Sequence, residues 1–339
     1  MGDNMTNLNS ITENMLSLYD TFPHQIKYGF EKGSSIKSLG NKFDGIVLCG
    51  MGGSGVTGDY IKALALNSRI NVPVEVIKEE SLPSWVNKNY LVIGVSYSGN
   101  THETLSCVRE AYNLNAKVIA ITSGGKLEKL VTERGSPIAL IEKNYYPRTA
   151  MAELVSTTLG ALRAQGINLI SDNDLEDSIN VIKETSRGEG LNIANSLAND
   201  DLYIISGCGD YEILANRWRQ EFSENTKAIA KTEAYPESAH NDIVVWQKNQ
   251  NLKIGYILFE SEGKLCSILT NLLNEIYIRQ NKTLVKISPR GNNLFSKLMQ
   301  GSLLAGYVSV YLAKMKGVDT TDTSITGEYK KSLEKANLV

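Results

Sequence analysis

The sequence predicts an α/β fold of two doubly wound, parallel sheets, each a three-layer αβα domain with helices on both faces. Three observations support this prediction. Short β-branched runs alternate with longer helical patterns along the 339 residues, which is the rhythm of βαβ units. The strand candidates are apolar throughout, as expected for strands buried on both faces of a sheet. The length exceeds one ordinary core and suits two domains of about 150 residues each.

The predicted strands form two groups, one in each half of the chain. In order, they are Ile46–Cys49, Val72–Ile77, Leu91–Ser96, Val118–Thr122, Ile138–Ile141, Leu202–Ser206, Ile254–Phe259 and Leu284–Ile287. Helical patterns lie between and after them, at Val56–Leu66, Thr101–Leu114, Met151–Gln165, Tyr211–Phe222, Leu265–Arg279 and Leu294–Lys316. Two further helical segments are predicted at the ends of the chain, Leu8–Phe30 and Gly327–Leu338.

The polar segment Ile170–Gly190 separates the two groups of strands. We therefore assign residues 1–165 to a first domain and residues 166–339 to a second. The run IVLCGMGGSG in the first half is echoed by YIISGCGDYE in the second, and a predicted helix follows each. The echo lacks the serine and most of the glycines, so we expect the second domain to have lost a ligand-binding loop.

Composition narrows the possible functions. The formal net charge is −2 and no basic stripe occurs, which argues against nucleic acid as a partner. The polar start MGDNMTNLNS predicts no signal peptide, and no run of about 18 apolar residues predicts a membrane span. Cys49, Cys107, Cys208 and Cys266 are widely spaced, which argues against a structural zinc site. We expect a reducing, cytoplasmic location.

A glycine-rich turn, Gly50–Gly55, directly follows the first strand and opens a helix. In parallel α/β sheets, ligands bind at the carboxyl ends of the strands. Glycines let the backbone approach an anion, the helix N-terminus supplies N–H donors, and Ser54 adds a hydroxyl. Alone, the turn could serve only close packing of strand and helix. A dinucleotide site is disfavoured because no acidic residue closes the next strand at the expected place, although Glu79 lies near.

A second turn, Ser96–Thr101 (SYSGNT), also ends a strand and opens a helix. Its hydroxyls cluster where a phosphate would bind, although Ser98 or Thr101 could instead cap the helix. Two such turns after neighbouring strands together favour a phosphate site. No GK[ST] motif occurs, so a nucleoside triphosphate is not the predicted ligand.

The segments GMGGSG and SYSGNTHETL resemble the two signature loops of the sugar isomerase (SIS) domain superfamily. In that superfamily the loops bind the phosphate of phosphorylated sugars. The resemblance implies two SIS-type domains with added terminal helices. It also implies a set of phosphate ligands, namely Gly53, Ser54, Ser96, Ser98 and Thr101.

Aldose–ketose isomerisation needs a carboxylate base, a positive charge for the enediolate, and an acid–base pair that opens the sugar ring. Glu221 and Glu224 are spaced to share one helix face, where a solvated acidic surface is the alternative. His240 follows Pro236 in a polar segment, which favours a loop site over the core. A structural role is the alternative for this histidine.

These segments resemble the bifunctional phosphoglucose/phosphomannose isomerases, whose E-N-x-K motif matches Glu224–Lys227 and whose P-E-x-x-H-N motif matches Pro236–Asn241. The resemblance implies that Glu224, and not Glu221, is the base. It implies further roles for four residues: His240 and Lys330 in ring opening, Arg148 at the enediolate, and Thr323 in leaving room for rotation about C2–C3. Lys331 competes with Lys330 for its role.

The resemblance also implies a homodimer in which His240 reaches the partner's site, and chemistry without a metal or other cofactor. A non-catalytic SIS sensor of sugar phosphates is the main alternative, but it would lack the Glu, His, Arg and Lys set. A phosphoglucose isomerase with a single substrate is another. An amidotransferase synthase is disfavoured because no glutaminase half is seen, and a dehydrogenase is disfavoured by SYSGNT.

Overall fold

The protein is seen in a computed structural model that describes residues 2–40, 42–248 and 251–336. The chain forms two compact units. The first-sheet unit consists of Thr21–Ile179 and the segment from Ser324 onward. The second-sheet unit consists of the segment up to Asp20 and Asn180–Thr323.

The helices and strands are numbered in chain order. The helices are α1 (Gly2–Asp20), α2 (Phe22–Ser34), α3 (Gly52–Ser68), α4 (His102–Asn113), α5 (Gly125–Glu133), α6 (Met151–Ala164), α7 (Asp172–Glu184), α8 (Arg187–Leu197), α9 (Glu212–Glu221), α10 (Lys264–Arg279), α11 (Leu294–Met315) and α12 (Ser324–Lys335). The strands are β1 (Gly45–Cys49), β2 (Val74–Ile77), β3 (Tyr90–Ser96), β4 (Lys117–Thr122), β5 (Ile138–Leu140), β6 (Leu202–Cys208), β7 (Ile229–Tyr235), β8 (Ile254–Phe259) and β9 (Thr283–Ile287).

Within the described residues, each unit contains one parallel sheet. The strand order is β2-β1-β3-β4-β5 in the first and β7-β6-β8-β9 in the second. The predicted fold class, two parallel α/β domains with added terminal helices, is confirmed. Because the strands of a sheet run the same way, the loops that follow their carboxyl ends lie along one edge.

The two ends of the chain belong to different units from those that the predicted division between residues 165 and 166 gives them. Helix α1 belongs to the second-sheet unit because Tyr19 packs against Gly306 of α11, where an added Cβ would lie 2.4 Å from the tyrosine ring. Helix α12 belongs to the first-sheet unit, where the Tyr329 hydroxyl donates to Glu103. Residues 337 and 338, the end of the predicted C-terminal helix, lie outside the described residues.

The N-terminal segment differs in a second way from its prediction. The sequence predicted one helical segment over Leu8–Phe30, and the structure has two helices separated at Thr21. Helix α2 packs tightly on α6, since an added Cβ at Gly33 would lie 2.0 Å from the Thr157 carbonyl oxygen. A Cβ at Gly160 would lie 2.2 Å from the Phe30 carbonyl oxygen. This close contact fixes the position of α6.

Among the described residues, none of the helices combines the length and hydropathy that crossing a bilayer requires. Cys208 at the end of β6 and Cys266 in α10 form a disulfide, which the sequence analysis did not predict. Cys49 and Cys107 are free thiols and are buried.

Candidate active site

The glycine-rich turn and the SYSGNT turn lie side by side in the first-sheet unit, after the paired strands β1 and β3. The backbone N–H of Tyr97 donates to Ser54 Oγ across 3.1 Å, which ties one turn to the other. Helix α3 begins at Gly52, and the preceding Met51 has no side-chain oxygen to cap it. The N–H groups of the first turn of α3 are therefore oriented to receive an anion.

The SYSGNT turn is held by its own hydroxyls. Ser96 is 1% exposed, and its Oγ accepts the Gly99 N–H at 3.1 Å and lies 2.9 Å from Thr101 Oγ1. Gly99 has φ of +66°, and an added Cβ there would lie 1.7 Å from the Gly124 carbonyl oxygen. Only glycine fits this position. Ser98 is exposed, and its Oγ accepts the Asn100 N–H.

A third turn, Thr122–Gly125 (TSGG) after β4, supports the SYSGNT turn. Ser123 Oγ donates to the Tyr97 carbonyl oxygen at 2.6 Å, and the Ser123 N–H donates to the same atom at 3.0 Å. The Lys126 N–H donates to Asn100 Oδ1 at 3.0 Å. Sequence analysis missed this turn, although its serine and paired glycines after an apolar strand were the available signal.

The turn that carries Arg148 also packs against the glycine-rich turn. An added Cβ at Gly53 would lie 3.2 Å from the Pro147 carbonyl oxygen. The Tyr145 N–H donates to the Tyr97 hydroxyl oxygen at 2.9 Å, so SYSGNT holds this turn as well. Arg148 itself is 1% exposed, with Cζ 5.0 Å from the centre of the Tyr146 ring. A buried guanidinium thus lies on the turn beside the proposed phosphate loop.

Buried polar groups fix the start of α6 directly after Arg148. Gln25 Nε2 donates to the Thr149 carbonyl oxygen at 2.8 Å, and Gln25 Oε1 accepts the Glu153 N–H at 3.0 Å. The Glu153 carboxylate accepts the Glu142 N–H at 3.2 Å. Burial raises the pKa of Glu153 to about 7, against the partial opposing effect of that hydrogen bond.

Helix α12 brings Lys330 and Lys331 into the first-sheet unit. The neighbouring Tyr329 hydroxyl donates to Glu103 Oε1 at 3.3 Å, and Glu103 is in the first turn of α4, just after SYSGNT. Both lysines are exposed. Consecutive residues of a helix point about 100° apart, so the two ammonium groups are directed differently.

Glu224 belongs to the second-sheet unit, in the π-helical turn Phe222–Thr226 that extends α9. It is partly exposed, and the turn ends at Lys227, whose φ is +54°. Glu221 differs sharply. It is fully buried and forms an ion pair with Arg217, which is also fully buried. Glu221 is therefore part of the core and does not belong to a solvated acidic face.

His240 is exposed at the end of a 3₁₀ turn, Glu237–His240, which follows β7. Glu224 precedes β7, so the two residues lie beyond opposite ends of this strand. Seven residues of strand separate those ends by roughly 20 Å at about 3.3 Å per residue. Thr323 is exposed and ends the second-sheet unit just before α12.

Comparisons with known proteins cover both halves of the chain. The SIS domain model matches residues 42–141, and the model of the bacterial phospho-glucose isomerase C-terminal SIS domain matches residues 187–333. A bifunctional phosphoglucose/phosphomannose isomerase from Aeropyrum pernix is 30% identical over 330 residues, covering 95% of this chain and 98% of its own. One from Caldicellulosiruptor bescii is 31% identical over 325 residues, covering 90% and 94%. The chain belongs to the bifunctional phosphoglucose/phosphomannose isomerase family.

Membership of this family makes the protein an isomerase, as the sequence predicted. A structure of a hypothetical protein from Thermus thermophilus shares the fold of the isomerase. Its TM-score is 0.74 at 14% identity, and the match covers 98% of this chain and 95% of that one. That likeness supports the arrangement of strands and helices alone.

The structure distributes the predicted site residues of the isomerase over its two units. The first-sheet unit brings together the loops with Gly53, Ser54, Ser96, Ser98 and Thr101, and the turn with Arg148, and it also contains Lys330. The second-sheet unit contains Glu224, His240 and Thr323. Sequence analysis missed four residues that hold these loops and the Arg148 turn in the first-sheet unit: Tyr97, Ser123, Gln25 and Glu153.

Proposed function

We propose that the enzyme interconverts glucose 6-phosphate and mannose 6-phosphate with fructose 6-phosphate through a cis-enediol. The observation that carries the proposal is the hydrogen bond from the Tyr97 N–H to Ser54 Oγ, with the Arg148 turn packed against Gly53. It joins two hydroxyl-bearing turns and a buried guanidinium in one unit. A phosphorylated, oxygen-rich substrate is the ligand that this chemistry suits.

The phosphate is assigned to the two turns. Ser54 Oγ accepts a backbone N–H, which leaves its own proton to donate to an anion. Ser98 and Thr101 add hydroxyls, and the first turn of α3 adds N–H groups, including that of Gly53. Ser96 is assigned to holding the SYSGNT turn from its buried side, because its hydroxyl already bonds to Gly99 and Thr101.

Proton transfer is assigned to Glu224. Its carboxylate takes the proton from C2 of an aldose and returns it to C1, and a second proton passes from O2 to O1. Arg148 stabilises the negative oxygens of the enediolate between these steps. The planar guanidinium can bind two oxygens at once, which an ammonium group does less well. No step in this scheme requires a metal or a redox cofactor.

Ring opening is assigned to His240 with Lys330, or with Lys331 in its place. An imidazole suits this step because its pKa is near neutrality. Thr323 is assigned the role of leaving space for rotation about the C2–C3 bond of the substrate, which lets both epimers react. The separation of Glu224 and His240 by the length of β7 exceeds the size of a hexose. This separation supports a site to which one protomer of a homodimer supplies Glu224 and its partner supplies His240.

A coupled assay tests the activity. Purified protein in EDTA should form fructose 6-phosphate from both glucose 6-phosphate and mannose 6-phosphate, whereas free glucose should be a poor substrate. A sensor of sugar phosphates, the second candidate, would bind these compounds without turnover. Conversion of one epimer only would restrict the enzyme to a single substrate.

A subunit-mixing experiment tests the shared site. Glu224→Gln and His240→Ala protein, each inactive alone, are unfolded together in equal amounts and refolded. Half of the resulting dimers should be mixed, and each mixed dimer should contain one intact site, giving about a quarter of the wild-type activity by simple counting. No recovery in a mixture that contains mixed dimers would contradict a site shared between subunits.

A further inference from the structure

The π-helical turn that carries Glu224 lies on a fully buried polar network. At its centre is the Glu221 carboxylate. Oε2 accepts the Tyr19 hydroxyl proton at 2.6 Å and an Asn225 Nδ2 proton at 2.9 Å, and Oε1 binds Arg217. All four side chains have no exposed surface. They come from α1, from α9 and from the turn itself.

The network continues from the turn into α11. Asn225 Nδ2 lies 2.9 Å from Ser309 Oγ and 3.2 Å from the Tyr19 hydroxyl oxygen. Thr226 Oγ1 donates to the Ser309 carbonyl oxygen at 3.2 Å. The two residues that directly follow Glu224 are thus bound to α11, and Asn225 also binds Glu221, three residues before Glu224.

Burial makes this arrangement costly to distort. A carboxylate, a guanidinium and an amide that are fully buried each lose hydration, so each depends on its partners inside the protein. Widened π-helical turns are uncommon and occur often at functional sites. Glu224 is partly exposed, whereas Asn225 and Thr226 after it and Glu221 three residues before it are buried and hydrogen-bonded.

We propose that Tyr19, Glu221 and Asn225 are positioning residues that hold Glu224 at the angle that proton transfer requires. This inference rests on the proposed role of Glu224 as the base. The Tyr19 hydroxyl is the part of the network that can be removed with the least damage, because phenylalanine keeps the ring that packs beside Gly306. Without the hydroxyl, Glu221 and Asn225 each lose one partner, and the turn gains freedom to shift.

The experiment compares Tyr19→Phe with Tyr307→Phe. Tyr307 in α11 is 3% exposed, and its hydroxyl donates to Asp20 Oδ1 at 2.7 Å, so both variants lose a bond from a buried tyrosine to a carboxylate. Only Tyr19 belongs to the network around Glu224. Tyr19→Phe should lower kcat on the order of tenfold with KM unchanged, since small displacements of a catalytic group have effects of this size or larger. Tyr307→Phe should lower Tm similarly and keep kcat within about twofold.

A second variant and a reference variant complete the test. Ser309→Ala removes a partner of Asn225 and should also lower kcat without raising KM. Full kcat in both Tyr19→Phe and Ser309→Ala, or equal losses in Tyr19→Phe and Tyr307→Phe, would overturn the inference. Glu224→Gln distinguishes a failure of the positioning role from a failure of the proposed role of Glu224 as the base. If it is inactive while Tyr19→Phe is fully active, only the positioning role fails, and if it is fully active, the proposed base and the inference fall together.

Discussion

Replacing Glu153 by glutamine should change how the stability of the first-sheet unit depends on pH. Burial raises the pKa of this carboxyl from an ordinary value of 4.5 to about 7. The folded protein therefore binds the proton more tightly than the unfolded chain does. The contribution of Glu153 to stability is fully present below about pH 4.5 and is lost as the pH rises through about 7.

The size of the effect follows from the pKa difference. One pKa unit corresponds to about 1.4 kcal/mol, so this carboxyl accounts for about 3 kcal/mol between pH 4.5 and pH 8. Glutamine has the shape of the protonated acid and does not ionise. The free energy of unfolding of Glu153→Gln should therefore fall by about 3 kcal/mol less than that of wild type over this range.

Urea unfolding at pH 4.5, 6 and 8 measures this difference for both proteins. The matched control is Glu133→Gln, since Glu133 is an exposed glutamate of α5 in the same unit. The control should follow wild type at every pH. If Glu153→Gln loses as much stability as wild type on going to pH 8, the buried carboxyl does not retain its proton, and the reasoning is wrong.

Four further predictions concern catalysis, the buried ion pair, substrate binding and the disulfide. Glu224→Gln should lower kcat by about 10²–10⁴-fold with sugar-phosphate binding retained. Glu221→Gln should instead lower the free energy of unfolding by about 3–5 kcal/mol, because it removes the carboxylate of a buried ion pair with Arg217; an unchanged free energy of unfolding would contradict this. Ser54→Ala with Ser98→Ala should raise KM for glucose 6-phosphate more than either change alone, as measured by initial rates, and an unchanged KM would count against the phosphate loops. Cys208→Ser should lower the free energy of unfolding, measured with urea, by about 4 kcal/mol, because the disulfide links residues 58 apart in the sequence. Reductant should lower the free energy of unfolding of wild type and leave that of the variant unchanged. Equal stability of the two proteins without reductant would contradict the cross-link.

The sequence predicted the strands that are buried on both faces and missed the edge strand β7. Leu91, Val92 and Ile93 of β3 are fully buried, and a continuous apolar run of this kind is typical of a strand covered on both faces. Strand β7 reads IAKTEAY, with Lys231 exposed and Glu233 buried. Its pairing with β6 on one side only allows polar residues, so its sequence does not resemble that of a central strand.

The residues that support the candidate site could not be predicted from the sequence, for a related reason. Glu221 and Arg217 are spaced as a pair on a helix surface, and a single sequence does not distinguish a solvated pair from a buried one. Burial is decided by Tyr19, which is 202 residues away along the chain, and by Ser309, 84 residues from Asn225. Short motifs indicate the loops and the proposed base, whereas the groups that contact them come from distant helices.

The internal repeat extends further than the loop sequences indicate. Cys49 ends β1 and Cys107 lies in α4, the helix after β3; Cys208 ends β6 and Cys266 lies in α10, the helix after β8. In both sheets, the first of these two strands pairs with the second. The two cysteine pairs thus occupy equivalent positions.

Their states differ between the units. Cys49 remains a thiol, and its hydrogen bond with Cys107, together with burial, raises its pKa well above the ordinary value. In the second-sheet unit, the equivalent strand end is instead cross-linked to the helix, directly before the Gly209–Tyr211 turn that replaces the glycine-rich loop. The chemistry proposed for this unit lies at Glu224, before β7. There, the buried network around Glu221 holds the turn that carries Glu224.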